Sequence, residues 1–318
     1  MTTTSDLELT TRAVSMPRSR RQARRVESLR PAWMEKPTPL SRAGKAIVIT
    51  IICILTIYPF LTVLSTSLSD STDIANANGL VLFPLHPTFA AYETIFAGGV
   101  VTAALVRSIL ITAIGTLCSL AATVGMAYGL SRRDLAFGKF ILLTALFTML
   151  FTPGIIPSFL MVKQLGLLGS YAALVLPTLI SAFNLVVVRS FFMGLPQELF
   201  EAARIDGAGD FRILVKIVLP LSKGVLAVVG LFYAVAYWNA FFNAMLYLKA
   251  EQWPLSMILR QYVLLGSPLD TASAGEISAP SQAIQMAVVV ISVVPILLVY
   301  PFLQKYFTKG VLTGAVKG

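Results

Sequence analysis

Six apolar runs, each long enough to cross a lipid bilayer as a helix, dominate this sequence. They lie at about residues 46–65, 108–130, 140–162, 171–192, 225–248 and 284–303. Roughly 20 apolar residues span the hydrocarbon core, and a helix satisfies the backbone groups that lipid cannot. Hydrophobic residues make up 56% of the chain and charged residues 13%, which is too apolar for a soluble globular protein. The sequence therefore predicts an all-α membrane protein with six transmembrane helices.

The distribution of Lys and Arg predicts the orientation of these helices. Of the 25 Lys and Arg residues, 21 lie before the first run, between the second and third, from the end of the fourth (Arg189) to the start of the fifth, or after the sixth. Because Lys and Arg accumulate in short cytosolic segments, we expect both termini and the loop at 196–220 to lie in the cytosol. The net charge of +10 then reflects topology and not nucleic-acid binding.

Two segments outside the runs have their own character. Residues 1–45 hold ten Lys or Arg against four acidic residues and show no apolar periodicity, which predicts a mostly disordered tail. Residues 66–106 contain no Lys or Arg and lie on the opposite side. We expect this outer loop to form short helices and turns.

Prolines and glycines inside the runs indicate where helices bend or pack closely. Pro153, Pro157 and Pro177 remove helix hydrogen bonds in the third and fourth runs, so these two spans are expected to be kinked and packed inside a bundle. The second run carries glycines at positions 115, 125 and 129, which allow a neighbouring helix to approach.

The loop at 196–220 reads PQELFEAARIDGAGDFRILVKIVLP. Pro196 and two early glutamates suit the first turn of a helix. Gly207 and Gly209 are expected to end this helix, because glycine adopts the left-handed conformation without a steric penalty. Asp210 is placed to cap a second short helix that Pro220 breaks.

Few polar residues lie at membrane depth, and they mark a candidate pathway. Asn184 lies in the fourth run, and Trp238, Asn239 and Asn243 lie in the fifth. On one continuous helix, Asn239 and Asn243 would share a face because they are four residues apart. Such groups either line a water-filled cavity, where they could contact a sugar, or form hydrogen bonds between helices.

No metal site or catalytic centre is predicted. The two cysteines, Cys53 and Cys118, lie inside apolar runs, and the single histidine, His86, has no second histidine or thiol near it in the sequence. We expect His86 to have a structural role in its loop. The chain has no G-x-x-x-x-G-K-[ST] phosphate-binding loop, so ATP chemistry would have to come from another chain.

The 196–220 loop also matches a known pattern. It carries Glu201-Ala202-Ala203, Gly207 and then Ile217-Val218-Leu219-Pro220, a spacing that resembles the signature loop of the membrane subunits of binding-protein-dependent ABC importers. Segments such as LFPLHPTFAAYETIF, YWNAFFNAMLYL and YPFLQKYFTKGVLTGAVKG resemble carbohydrate-uptake permeases of the maltose-transporter type, in the branch for oligosaccharides or polysaccharide fragments. The resemblance covers about residues 46–318.

This resemblance implies a type I ABC importer permease bundle in the plasma (inner) membrane. Its parts would be a basic cytosolic tail at 1–45, a first transmembrane helix with an extracytosolic loop at 46–103, the permease domain at 104–303 and a cytosolic tail at 304–318. The last of these would contact the ATPase subunits. The loop at 196–220 would be the cytosolic coupling helix.

The resemblance also implies partners. These are a second homologous permease, two ATPase subunits that use ATP and Mg²⁺, an extracytosolic sugar-binding protein, an oligosaccharide and membrane lipid; this chain would bind no cofactor or nucleic acid. The residues implied in coupling to the ATPases are Glu201, Ala202, Ala203, Asp206, Gly207, Ile217, Leu219 and Pro220. The candidate substrate pathway comprises Asn184, Trp238, Asn239 and Asn243.

The alternative is a secondary transporter or channel that works without ATPases. Such proteins usually carry ionisable groups at membrane depth for coupling. All fifteen acidic residues of this chain fall in tails, loops or interfaces, which favours the ATP-driven importer.

Overall fold

The computed structural model describes residues 39–97, 99–132, 135–265 and 282–315. Within these ranges all regular elements are helical, apart from one isolated antiparallel bridge between Ser69 and Pro87. The chain divides into two compact units, residues 1–56 and 57–318. Most of the predicted basic tail lies outside the described residues.

The first helix, α1, begins inside that predicted tail. It covers Pro39–Ser67, so the prediction of a disordered segment up to residue 45 was wrong for its last seven residues. Proline suits the first helical position, and no further proline occurs before Pro59. A stretch of 25 residues, Ala43–Ser67, is long and apolar enough to cross a membrane.

The segment after α1 forms the short helices and turns that were expected. Helix α2 covers Ser71–Asn76 and helix α3 covers Ala90–Ala97. Asp73 is buried and accepts hydrogen bonds from the backbone N–H of His86 at 2.8 Å and of Leu85 at 3.0 Å, while the His86 ring Nδ1 lies 3.1 Å away. These bonds, first that from the His86 backbone, lower the pKa of the Asp73 carboxyl. His86 therefore has a structural role in the loop, as predicted.

Helix α4, Val100–Ser131, is the longest of the central helices. Its 32 residues correspond to about 48 Å at 1.5 Å per residue, longer than the hydrocarbon core of about 30 Å. It begins eight residues before the predicted second run. The added turns carry it into the outer loop, where Val101 and Ala104 pack with α3 and the residues around it.

The third apolar run does not form one helix. Helix α5, Gly138–Leu150, and helix α6, Ile155–Gln164, are separated by residues 151–154. Pro153 disfavours a helical conformation for the residue before it, and Gly154 has a φ of 84°, outside the helical region. Helix α5 packs against the central cluster through Ala145, although none of its residues is fully buried in this chain.

The fourth run is kinked, as its proline predicts. Helix α7, Ala172–Val175, continues through a 3₁₀ turn at Leu176–Thr178 and then breaks before helix α8, Ala182–Met193. The two segments are bent by 54°. Helix α8 is packed inside the bundle, with Leu185, Val188 and Phe192 fully or almost fully buried.

The rest of the chain is a series of helices joined at sharp bends. They are α9 Gln197–Ile205, α10 Asp210–Ile213, α11 Leu219–Leu221, α12 Lys223–Trp238, α13 Phe241–Tyr247, α14 Leu255–Arg260 and α15 Gln282–Ala315. The part of α15 that is long and apolar enough to cross a membrane, Gln282–Val299, ends close to the end of the predicted sixth run, and the helical backbone continues into the predicted tail.

The count of six spans is not confirmed by the described residues. Three described helices are long and apolar enough to cross a membrane, and up to five crossings result if each bent pair counts as one. The missing crossing is the third run, because its break leaves helices of only 13 and 10 residues.

Helices α4, α8 and α12 form the centre of the fold and share one apolar cluster. Helices α4 and α12 approach closely at Gly115, where an added Cβ would lie 2.9 Å from the ring of Tyr237. A Cβ at Gly125 or Gly129 would meet nothing within 4 Å. Of the three glycines predicted to allow close packing, only Gly115 is therefore confirmed in this role within the chain.

Candidate functional site

Residues 196–221, called here the helical loop, connect α8 to α12. Its first helix, α9, is favoured by Glu198 in the first turn and Arg204 in the last, which both match the helix dipole. The side of α9 that faces the bundle buries Ala203 and packs Phe200 against the central cluster. The helix is therefore fixed on one side by the same apolar core that holds α4, α8 and α12.

The opposite side of α9 is exposed and partly apolar. Glu198, Glu201, Ala202 and Ile205 follow the i, i+3, i+4, i+7 spacing of one helix face, and all four are exposed. Ile205 is 87% exposed, and Phe211 just beyond the turn is 79% exposed. Large apolar side chains gathered on an exposed helical loop indicate an interaction surface.

Gly207 makes the turn at the end of α9. Its φ is 73°, and the backbone N–H groups of Gly207 and Ala208 bond to the carbonyls of Arg204 and Ala203 at 3.0 and 2.9 Å. These two bonds form a Schellman motif, in which the left-handed position favours glycine. Asp206 is the last residue before this turn and is exposed. The prediction that Gly207 ends this helix is confirmed.

The predicted roles of Gly209 and Asp210 were wrong. Gly209 has a φ of −69° and ψ of 164°, an extended conformation open to any residue, and it occupies the N-cap position of α10. Asp210 is the first helical residue, and its carboxylate bonds to Arg132 at the end of α4. The Asp210 side chain, which was expected to cap the second helix, therefore forms an ion pair with Arg132 instead.

The second half of the helical loop is helical from Asp210 to Leu221 and then breaks at Ser222, where α12 begins. A π-helical turn at Leu214–Val218 joins α10 to α11, and Pro220 lies inside this helix rather than ending it. Ile217 and Leu219 pack against the central cluster, while the axis turns by 85° between Leu221 and Lys223. Pro220 lacks an N–H and cannot donate the hydrogen bond of a regular helix. The wider π turn before it accommodates this missing bond.

A polar and aromatic cavity of about 570 Å³ lies where α7, α8, α12 and α13 meet. Asn184, Asn239 and Asn243 all line it. Asn184 is only 4% exposed, and its side-chain amide makes no hydrogen bond with the part of the chain that the structure describes. Because Asn184 lines the cavity, its amide is available to a polar ligand or to water there.

The two asparagines of the fifth run were expected to lie on one helix, but they do not. Asn239 ends α12, its amide donates to the Val235 carbonyl at 2.9 Å, and α13 starts at Phe241. This side-chain bond to the preceding turn competes with continuation of the helix. Asn243 lies on α13, and the two amides reach the same cavity from two helices.

Trp238 does not line the cavity. Its indole Nε1 donates to the Ser292 carbonyl of α15 at 3.2 Å, and its ring packs against a second apolar cluster. The structure thus brings together three of the four residues predicted for the pathway and places the fourth in a packing contact.

Two tyrosines of the cavity wall were missed. The hydroxyl of Tyr233 pairs with that of Thr123 at 2.6 Å, and the hydroxyl of Tyr237 pairs with that of Ser119 at 2.7 Å. Tyr233 also accepts the backbone N–H of Ser181 at 2.9 Å. Ser119 and Thr123 on α4 are four residues apart, as are Tyr233 and Tyr237 on α12, and these matched spacings were a signal in the sequence for the contacts.

Aromatic rings complete the lining. Phe183 and Phe232 contact each other at 6.2 Å between ring centres, and Phe242 lies beside Asn243. Apart from the tyrosines, the described lining holds no ionisable side chain. Amides, hydroxyls and aromatic faces together suit a ligand with both hydroxyl groups and apolar faces. Elsewhere in the described residues, no group of three or more His, Cys, Asp or Glu could hold a metal ion.

Known proteins share this architecture. Residues 115–313 match the family described as "Binding-protein-dependent transport system inner membrane component". The polygalacturonan/rhamnogalacturonan transport system permease protein YtcP of Bacillus subtilis (strain 168) is 44% identical over 279 residues, which cover 86% of this chain and 96% of that protein. The relatives are transport permeases, so the chain is a transport subunit and not an enzyme.

Two solved structures are similar. One is a chain of a bacterial ABC transporter involved in the import of the acidic polysaccharide alginate, with a TM-score of 0.78 and 29% identity, covering 86% of this chain and all of that one. The other, from a bacterial alginate ABC transporter in complex with an alginate pentasaccharide-bound periplasmic protein, has a TM-score of 0.52 and 15% identity over 82% of this chain and 92% of that one. The expected type I ABC importer permease fold is confirmed, and the chain belongs to the family of binding-protein-dependent transport system inner membrane components.

Proposed function

We propose that this chain is the transmembrane permease subunit of an ATP-driven, binding-protein-dependent importer of oligosaccharides. The observation that carries the proposal is a direct chain connection, through the short helices and turns of residues 206–222, between an exposed docking surface and a cavity lined by amides, hydroxyls and aromatic rings. The docking surface lies on α9, and the cavity is lined by α12, the helix that the loop enters.

The exposed face of α9 would dock on an ATPase subunit. Glu201 supplies a polar contact, Ala202 permits close approach, and Ile205 supplies apolar area that has no partner in this chain. Ala203 and Gly207 hold the helix in position through burial and through the Schellman turn. Two ATPase partners would bind ATP and Mg²⁺, and this chain would bind neither.

The cavity would hold part of the oligosaccharide. Asn184 and Asn243 offer amide donors and acceptors for sugar hydroxyl groups, and Phe183 and Phe232 offer surfaces for the apolar faces of sugar rings. The lining supplies no cation for an acidic sugar. A second, homologous permease would complete the pathway and supply the remaining contacts.

Alternating access would link the two sites. ATP binding would close the ATPase pair and favour one orientation of the cavity, and hydrolysis would release it, since a ligand shifts a two-state equilibrium only through a difference in affinity. An extracytosolic sugar-binding protein would deliver the oligosaccharide. Support for this partner comes from the alginate transporter described with its sugar-loaded periplasmic protein.

The distribution of Lys and Arg supports an inner-membrane protein with both termini and the helical loop in the cytosol. In this orientation α9 meets the ATPases, and the loop with Asp73 and His86 faces the binding protein.

Purification of the detergent-solubilised complex through a tag on this chain tests the proposal. We expect a second permease and an ATPase subunit to co-purify, and ATP hydrolysis to rise when a sugar-loaded binding protein is added. A chain that purifies without an ATPase and imports sugar in proteoliposomes without ATP would contradict the proposal.

A further inference from the structure

A second contact joins the helical loop to the membrane helices, through α4 instead of α12. The Arg132 guanidinium donates to the carboxylate of Asp210 and, at 3.1 Å, to the hydroxyl of Tyr128. The same hydroxyl donates to the backbone carbonyl of Asp210 at 3.2 Å. These three residues, called here the α4 clamp, connect the last turns of α4 to the first residue of α10.

The clamp is held in position by its surroundings. Tyr128 is 8% exposed and packs edge to face on Phe192 of α8, with 6.5 Å between ring centres. Arg132 lies four residues later, on the same side of α4, with its guanidinium 5.1 Å from the centre of the Tyr128 ring. Asp210 lies three residues beyond the Gly207 turn, so it moves with the helical loop.

The contacts continue from the clamp along α4 to the cavity wall. Thr123 and Ser119 lie on α4 before Tyr128, and their hydroxyls bond to Tyr233 and Tyr237, which line the cavity. Through the bond from Ser181 to the Tyr233 hydroxyl, this path also reaches the bend before α8. Helix α4 thus joins a contact with the helical loop at its C-terminal end to two contacts with the cavity wall, without using α11.

From this arrangement we propose that Arg132 and Asp210 are positioning residues that transmit the movement of the helical loop to α4. The proposal rests on the docking function given above. Through the clamp, a displacement of the loop reaches α4 and its hydroxyl contacts on one side of the cavity wall, while the backbone connection carries it to α12. Without the clamp, the loop would still dock and ATP would still be hydrolysed, but α4 would no longer follow.

Stability alone does not account for the clamp. The Asp210 side chain is 68% exposed and that of Arg132 is 20% exposed, so water screens the ion pair and its contribution to stability is small. Loss of the pair is therefore expected to leave the melting temperature almost unchanged. Effects of such contacts on coupling between sites, in contrast, are about 0.5–2 kcal/mol, equivalent to roughly a twofold to thirtyfold change in an equilibrium.

The test is a charge exchange in the complete transporter, reconstituted in proteoliposomes with its binding protein. Arg132→Asp, Asp210→Arg and the double exchange are compared by the number of sugars imported per ATP hydrolysed and by melting temperature. We expect each single variant to lower the ratio about twofold to thirtyfold and the double exchange to recover most of it. Lys139→Asp, at an exposed cation at the start of α5 and outside the helical loop, is the charge-matched control and is expected to keep the wild-type ratio.

Two results would overturn the proposal. One is a wild-type ratio in both single variants, and the other is a loss that follows the melting temperature and is not recovered by the exchange. Gly207→Val, measured in parallel, separates this proposal from the proposed function. If Gly207→Val lowers the number of sugars imported per ATP and the clamp variants do not, only the clamp proposal fails. If none of these variants lowers that ratio, the proposal of docking through the helical loop fails as well.

Discussion

The Gly207 turn allows the docking surface to be perturbed without touching it. Gly207→Ala places a side chain at a φ of 73°, where a non-glycine residue costs about 1–2 kcal/mol. A Cβ at this position would meet nothing within 4 Å, so the cost is conformational and not a clash. If docking requires this turn, the affinity for the ATPase subunit falls about fivefold to thirtyfold, since 1.4 kcal/mol is a factor of ten.

Gly209→Ala is the matched control for this experiment. Gly209 is equally open to a Cβ, but its φ of −69° suits any residue. Titration of purified ATPase subunit onto nanodiscs that hold the permease pair would measure both affinities. We expect Gly209→Ala to bind like the wild type and Gly207→Asn to bind better than Gly207→Ala, because asparagine tolerates the left-handed conformation. Equal affinities for the two alanine variants would refute the role of the turn.

Three further predictions concern the cavity, the helix contact and the outer loop. Asn184→Leu removes an unpaired buried amide and is expected to raise the KM for sugar uptake about fivefold to a hundredfold, more than Asn239→Leu, whose amide already has a backbone partner; equal effects would contradict this. Gly115→Ala is expected to lower stability by about 1–3 kcal/mol through the clash with an aromatic ring, while Gly125→Ala is neutral or stabilising, as measured by thermal unfolding in detergent. Because hydrogen bonds lower the pKa of Asp73 below its ordinary 3.8, their stabilisation of the outer loop is complete above that pH and is lost as the pH falls through the lowered value; amide exchange would show this in the wild type and not in Asp73→Asn.

The helical loop could be predicted well because its signals are local. About ten residues contain all the signals for α9 and its end: an acidic first turn, one apolar side and a glycine suited to the left-handed conformation. The structure has both the helix and the turn at Gly207. Asp210 shows where local reasoning ends. Its side chain bonds to Arg132, 78 residues earlier, and no pattern around residue 210 contains that partner.

The helix breaks explain most of the remaining differences. Apolar content alone does not separate one long helix from two short ones. Pro153 predicted a kink in the third run but not the full break at residues 151–154, and the end of α12 at Asn239 was missed. The predicted amides nevertheless lie in one cavity, because α12 and α13 both line it. The polar residue types were thus a better guide to the site than the helical periodicity.

The central claim is that the helical loop couples ATP hydrolysis by the ATPase subunits to sugar transport. The most direct measurement is ATP-driven sugar uptake, recorded together with ATP hydrolysis, by proteoliposomes that contain the complete transporter with Glu201→Lys. Glu201 lies on the exposed face of α9, so the reversed charge leaves the buried core intact. The account predicts that uptake is lost and that hydrolysis either disappears or no longer responds to sugar-loaded binding protein. Uptake at the wild-type rate with normally stimulated hydrolysis would contradict it.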